Sequence, residues 1–226
     1  MDLPDPPPGW ADLPFFADDW PRVAAALRAE TRPWAPAPAV LFRALDLTPP
    51  EAVRVVVLGQ DPYPTGDRAT GLAFSYPPGL RPTHSLRNIL EELAADTGIR
   101  RGDGDLTGWA RQGVLLLNTV LSVPAGAPGG HASLGWQGLA AQVLERVLAR
   151  PCALLLWGGP AGRLAAPVLE AAAPDIPRLV LRSSHPSPLG ARRGLGVHPA
   201  FRGSRPFSRI DGWLEARGLP PVDWAG

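Results

Sequence analysis

The chain has 226 residues, 45% of them hydrophobic, and a net charge of +1. That suffices for one α/β domain with a substantial core, and no apolar run is long enough to span a bilayer. A single cysteine, Cys152, excludes an internal disulfide, a cysteine-ligated iron–sulfur cluster and a Cys-rich zinc site; all 22 basic side chains are arginine, which excludes a Schiff base on a lysine amine.

The opening residues, MDLPDPPPGW, lack the basic and apolar regions of a signal peptide, so a soluble cytoplasmic protein is expected. Residues 1–16 are Pro-rich and read as an irregular segment on the surface. Apolar spacing predicts helices from about Trp20 to Arg28 and from about Ala39 to Leu45, before the stop at Pro49-Pro50. Arg54 to Leu58 is a β-branched apolar run, the pattern of a strand buried on both faces. It ends at Gly59, and Gln60, Asp61 and Tyr63 follow in a loop stiffened by Pro62 and Pro64 and freed at Gly66. A helix from Leu86 to Ala95 comes next, with Ser85 or Thr83 as N-cap, where hydroxyls and free N–H groups could also hold a phosphate.

Gly104 to Trp109 reads as a turn into a short helix. Val114 to Thr119 is a second buried strand, and Asn118 at its end carries a donor and an acceptor on one planar group, suited to a base edge or simply to a turn. A Gly- and Pro-rich loop runs through His131 to a helix from about Gly138 to Arg150. Ala153 to Trp157 is the third strand. The glycines of Gly158-Gly159-Pro160 do not complete a dinucleotide fingerprint and read as a tight turn before a helix to about Ala172. Arg178 to Arg182 is the fourth strand, leading to Ser183-Ser184-His185-Pro186-Ser187-Pro188-Leu189, a long loop to Arg205 and a last helix from about Phe207 to Arg217.

Four buried strands alternating with helices predict a single α/β domain, residues 1–226, with a four-stranded parallel sheet covered by helices on both faces. Asp61, Asn118 and His185 then reach one edge of that sheet, the edge where such folds bind ligands. A carboxylate, an amide and an imidazole suit a hydrolysis in which water is oriented while charge develops on a leaving group. This set lacks metal-ligand spacing, so no metal and no organic cofactor are expected. Charge is uneven: residues 1–30 hold six acids against Arg22 and Arg28, whereas Arg178 to Arg209 holds seven arginines and no acid. Such a segment fits either a polyanion partner or a solvated arginine-rich loop.

The segments Gly59-Gln60-Asp61-Pro62-Tyr63, Gly71-Leu72-Ala73-Phe74-Ser75, Gln112 to Thr119, Leu155-Leu156-Trp157-Gly158, His185-Pro186-Ser187-Pro188-Leu189 and Val222-Asp223-Trp224 resemble, in order, those of the family 1 uracil-DNA glycosylases. The likeness runs from about Trp20 to the end, and the GQDPY and HPSPL segments are the most specific. The resemblance implies a monofunctional DNA-repair hydrolase that flips uracil out of DNA and cleaves its N-glycosidic bond, leaving an abasic site. Catalytic roles fall on Asp61, which orients water or stabilises the sugar cation, and on His185, which donates to the uracil carbonyl. Uracil binding falls on Gln60, chiefly through its backbone, on Tyr63, which fills the space of a thymine methyl, on Phe74, which stacks on the base, and on Asn118, which reads its polar edge.

DNA binding falls on Ser85 and Ser187, which pinch phosphates, on Leu189, which wedges into the vacated stack, and on Arg192 and Arg193. The implied partners are uracil-containing DNA, single- or double-stranded, and uracil-mimicking protein inhibitors of the family; a monomer without membrane contact is expected. The chain departs from the family at Pro64, where histidine is usual, at Asp67-Arg68-Ala69-Thr70, at Thr83-His84 and at Gly190. Its loop from Gly190 to Gly203 is longer, and Arg192, Arg193, His198 and Arg202 are expected to add phosphate contacts there. The alternative these departures permit is a catalytically weak or altered-specificity relative that binds damaged or uracil-containing DNA. A nucleoside hydrolase-like enzyme would use the same strand ends without DNA.

Overall fold

The computed structural model describes residues 1–226 apart from Gly66, Thr83 and Leu195. The central sheet contains β1 (Val55–Gly59), β2 (Val114–Asn118), β3 (Cys152–Trp157) and β4 (Arg178–Ser183), all parallel, in the order β2-β1-β3-β4. Every residue of β1, β2 and β3 is buried. Successive side chains of a strand point to opposite faces, so both faces of these three strands are covered, as their unbroken Val/Leu runs demand. β4 is instead a half-buried edge strand. It has a neighbour on one side only, and Arg178 and Arg182 bring charge that a fully covered strand would not tolerate. Truncating a core leucine such as Leu116, 1% exposed, to alanine costs about 2–5 kcal/mol.

The helices are α1 (Pro14–Asp18), α2 (Trp20–Ala29), α3 (Arg43–Leu47), α4 (His84–Thr97), α5 (Thr107–Arg111), α6 (Trp136–Leu148), α7 (Gly159–Ala171) and α8 (Pro206–Glu215). α6 and α7 pack as a pair with α7 on β3; α4 and α8 form a second pair, with α8 on β3 and β4; α3 and α5 lie against β2.

The N-terminal segment has no helix or strand before Pro14, as its prolines suggest, but it does not simply lie on the surface. Trp10, Leu13, Phe15 and Phe16 are buried, α1 begins at Pro14, and the Trp10 indole N–H donates to the Leu45 carbonyl at 3.1 Å. Proline removes donors but leaves aromatic side chains free to dock. The helix expected over Ala39 to Leu45 divides into a 3₁₀ turn, Pro38–Val40, and α3. α4 starts at His84, so Ser85 lies inside its first turn and does not cap it, while the other cap candidate, Thr83, lies outside the described residues, as does Gly66. Gly158 leads straight into α7, so the two glycines form the helix start itself. A two-residue ribbon, Trp34–Ala35 against Val123–Pro124, is too short to leave a period in the sequence.

Register sets the site. Gly59 pairs with Asn118, Leu58 with Leu156, and Trp157 with Ser183, so the carboxyl ends form one row. From β1 the chain moves to one side for β2, then crosses to the other side for β3. The loops therefore part at β1 and β3, where a crevice opens.

Candidate active site

At that crevice lies a cleft of about 160 Å³ whose lining includes Gln60, Asp61, Tyr63, Phe74, Ser85, Asn118 and His185. These are seven of the residues singled out in the sequence, drawn from the loops after β1 and β4, the last residue of β2 and the first turn of α4. Ser187, Leu189, Arg192 and Arg193 are not in the lining. They follow His185 along its loop, where Leu189 is 88% exposed and both arginines are exposed.

Asp61 is half-buried, and its Oδ2 accepts the Gly129 backbone N–H at 2.7 Å. Burial raises its pKa, while that hydrogen bond, which favours the charged form, opposes the rise. Gly129 belongs to a loop clasped to the Asp61 loop at further points. The Gln60 carbonyl accepts from the Val120 N–H at 3.0 Å and the Thr119 hydroxyl at 2.9 Å, and the Pro64 carbonyl accepts from the Gly126 N–H at 3.0 Å. Pro64 thus contributes its carbonyl, and the missing N–H costs nothing at this contact.

The Phe74 ring lines the same cleft as the Asn118 amide. Phe74 holds φ 65°, a left-handed value that is costly for an aromatic residue. Its neighbours fix it there: the Tyr63 hydroxyl donates to the Phe74 carbonyl at 3.1 Å, and the ring lies 5.4 Å from Trp157 and 5.9 Å from His185. Tyr63 stands edge-on to Tyr76 at 4.7 Å, and burial drives its pKa far up, so the phenol keeps its proton. Asn118 is 8% exposed, and a Cβ added at its neighbour Gly59 would lie 2.2 Å from Oδ1. Only glycine leaves room for the amide.

His185 accepts the Ser187 backbone N–H on Nδ1 at 3.1 Å. With Nδ1 an acceptor, the neutral ring carries its proton on Nε2 and can donate from that side. Burial lowers its pKa, which favours this neutral form. Gly158 gives the ring its space, since a Cβ there would come within 2.9 Å of the His185 Cβ. Ser184 secures the loop by donating to the Gly190 carbonyl and accepting from the Phe201 N–H, each at 2.9 Å. Ser187 Oγ accepts the Gly190 N–H at 3.1 Å, which leaves its own proton available to a phosphate oxygen.

The arginine-rich segment is only partly free, and Arg202, expected to contact phosphate, is already paired. Arg202 pairs with Glu91 and donates to Asn88 Oδ1 at 2.6 Å; Arg205 meets Asp96 at 3.2 Å; Arg178 donates to the carbonyls of Ala173 and Leu148 at 2.7 and 2.6 Å; Arg209 reaches the Ser204 carbonyl at 3.5 Å. The acids absent from this stretch of sequence come from α4. Among the described residues, Arg182, Arg192 and Arg193 have no such partner.

Gly59, Gly129 and Gly158 are functional positions that sequence reasoning misses, since it marks only their loops and turns. A buried chain of polar groups also leaves no sequence signal: Trp136 donates to Ser122 Oγ at 2.9 Å, Ser122 Oγ meets His131 Nδ1 at 2.8 Å, and His131 Nε2 lies 3.4 Å from Glu30. It anchors the loop that carries Gly129.

A family model described as the uracil DNA glycosylase superfamily matches residues 45–210, which contain the whole cleft. The chain belongs to that superfamily. A uracil-DNA glycosylase of Ruegeria sp. (strain TM1040) is 53% identical over 218 residues, covering 96% of this chain and 88% of the relative. One from Chromobacterium violaceum is 47% identical over 194 residues, covering 84% of this chain and 76% of the relative. The solved mimivirus uracil-DNA glycosylase superposes with a TM-score of 0.85 at 25% identity, covering 96% of this chain and 86% of its own; a Y322F form of the mimivirus protein, in complex with UGI, gives 0.86. The superfamily's sheet and helices are therefore those described above. Among the described residues no helix is long and apolar enough to cross a membrane.

Proposed function

We infer that this chain is a uracil-DNA glycosylase, a DNA-repair hydrolase that removes uracil and leaves an abasic site. The observation that carries the assignment of roles is the convergence of Asp61, Asn118 and His185, from the carboxyl ends of three strands, on one cleft that Phe74 also lines. A base can reach it only by leaving the stack. Flipped in, the ring lies on Phe74 and its polar edge meets the Asn118 amide, which rejects cytosine because the donor pattern there is inverted. Tyr63, held by Phe74 and Tyr76, closes the space a thymine methyl would need.

Water held at the Asp61 carboxylate adds to the sugar carbon as the N-glycosidic bond breaks. The bonding pair leaves with the base nitrogen and spreads onto the ring carbonyl, where His185 Nε2–H donates to it; the proton lost by the water passes to Asp61 or to solvent. A neutral imidazole suits this role, since it stabilises charge without first being protonated. Ser85 and Ser187 bind phosphates on either side, Leu189 fills the vacated stack, and Arg192 and Arg193 add charge along the backbone. The site lies within one chain, which supports action as a monomer, and a DNA substrate supports the cytoplasmic location expected from the sequence. UGI is in complex with the mimivirus enzyme, and a protein inhibitor that mimics uracil would cover the same cleft here.

The binding-only alternative is not favoured, because Asp61 and His185 are both present and oriented. The test is base release from an end-labelled oligonucleotide containing one uracil, read by alkaline scission, in the wild type and in Asp61→Asn. Release by the wild type and a loss of about 10²-fold or more in the variant is expected; absence of release by the wild type would sink the reading.

A further inference from the structure

Beside the cleft, on the far side of the start of α4, lies a second cavity of about 270 Å³. Its lining holds Arg81, Arg87, Arg100 and Arg101 together with the apolar Leu90 and Ala94. The one acid in its lining, Glu91, is engaged elsewhere, paired closely with Arg202 and only at 3.8 Å with Arg87. Arg101 is held by Asp103 at 3.1 Å and by the carbonyls of Asp105 and Gly226. Arg81 and Arg100 are exposed and have no hydrogen-bond or ion-pair partner among the described residues. Arginines gathered around one hollow repel each other unless an anion joins them, and several such charges together favour a polyanion over a single small ion.

The hollow is a neighbour of the cleft along the chain. Pro82 lines the second cavity and Ser85 lines the first, so one short run of chain borders both. We propose that this cavity is an auxiliary phosphate site, which takes the backbone of the same DNA strand after it has passed Ser85. The proposal rests on the glycosylase reading given above. The strand would be gripped from two wings: Leu189 with Arg192 and Arg193 on one side of the cleft, and Arg81, Arg87 and Arg100 on the other. Contacts from arginine to phosphate carry no sequence information, so this wing adds affinity without sequence preference.

The test compares two uracil-containing oligonucleotides, one confined to the cleft and one long enough to run past Ser85, on the wild type and on Arg81→Ala/Arg100→Ala. Removing a single arginine–phosphate pairing lowers the slope of log affinity against log salt by about 0.7 to 0.9. For the long oligonucleotide the variant is expected to lose about one to two units of slope, roughly threefold in salt sensitivity per phosphate between 50 and 200 mM. For the short one the two proteins should coincide. Arg81→Lys/Arg100→Lys, which keeps the charge, should retain the wild-type slope.

Equal slopes for wild type and variant on the long oligonucleotide would overturn the proposal. An equal loss on both oligonucleotides would overturn it too, since the arginines would then be acting through the cleft or the fold. Failure of the wild type to release uracil from either oligonucleotide would count against the glycosylase reading; equal slopes with normal release would count only against the second wing.

Discussion

The cleft and the arginine-rich segment beside it hold their functional groups in opposite ways. In the cleft, each group is desolvated and fixed by a specific neighbour: Asp61 by the Gly129 N–H, His185 by the Ser187 N–H, and Phe74 by the Tyr63 hydroxyl. From Arg178 to Arg209, charge is abundant, but Arg202 and Arg205 are engaged by acids of α4, and Arg192 and Arg193 project into solvent. Preorganised polar groups act on a developing charge most strongly where water is excluded. Phosphate binding works by counterion release at the surface and needs no fixed geometry. Substitutions in the two regions should therefore fail in different measurements.

The largest effect is expected at His185. Removing one donor to a developing anion costs about 10²–10³-fold in rate, so His185→Ala should lower single-turnover cleavage by that factor with DNA affinity little changed. The pH profile sharpens the point. His185 must be neutral, and burial sets its pKa below the ordinary histidine value; Asp61 must be ionised, and burial sets its pKa above the ordinary carboxylate value. Both groups gain protons as pH falls, so the rate should be level through neutral pH and decline only on the acid side. His185→Gln should leave a single acid limb, that of Asp61. A rate that rises on acidification would contradict a neutral imidazole donor.

Next comes Gly59→Ala. The new Cβ would meet Asn118 Oδ1 at 2.2 Å and the Ala73 Cβ at 2.9 Å, and strand pairing prevents the backbone from backing away. The amide must turn. Hydrogen bonds from one planar amide to a base edge carry about 1–3 kcal/mol of discrimination, so the preference for uracil over cytosine should fall roughly tenfold to a hundredfold. An unchanged preference would remove Asn118 from base reading.

These two sites also mark what can be read in the sequence. Asp61, Asn118 and His185 are legible because each follows a short apolar run, buried on both faces before Asp61 and Asn118 and half-buried before His185, and such runs announce both the strand and its carboxyl end. Gly59 is visible as the end of a strand and the first residue of the GQDPY segment, but the reason for it, the absence of a Cβ opposite a residue 59 positions on, is not. Gly129 supports Asp61 through a backbone N–H, which every residue except proline carries, so no side-chain pattern can point to it. The N-terminal segment misleads because proline content speaks for local irregularity, while Trp10 and Phe15 are buried by distant contacts with Leu45 and Trp136. Arg202 misleads for a similar reason, its partners lying on α4.

A smaller effect, about tenfold on cleavage, is expected from His131→Ala. His131 bonds Ser122 and lies beside Glu30, and together they anchor the loop whose Gly129 N–H holds the Asp61 carboxylate. Loosening that N–H withdraws a hydrogen bond that favours the charged form, so the acid limb of Asp61 should move to higher pH. Simple destabilisation would lower the melting temperature and leave the limb where it is, which separates a positioning role from a structural one.

The smallest effect on function, and the most direct challenge to the contrast between buried and exposed groups, comes from comparing Arg192→Ala/Arg193→Ala with Arg202→Ala. The double variant removes two solvated charges and no internal contact. It should therefore unfold like the wild type but lose about threefold in the salt sensitivity of DNA affinity, between 50 and 200 mM salt, for each phosphate it no longer neutralises. Arg202→Ala removes the closer of the two arginine partners of Glu91 and leaves Oδ1 of the buried Asn88 unpaired. The ion pair is partly exposed and contributes little, while the unpaired buried acceptor costs about 1–3 kcal/mol. Arg202→Ala should thus lower the melting temperature and leave the salt slope intact. If it instead reduced the slope as far as the double variant does, the arginines of this segment would act as one DNA-facing surface, and the pairing with α4 would have to open when DNA binds.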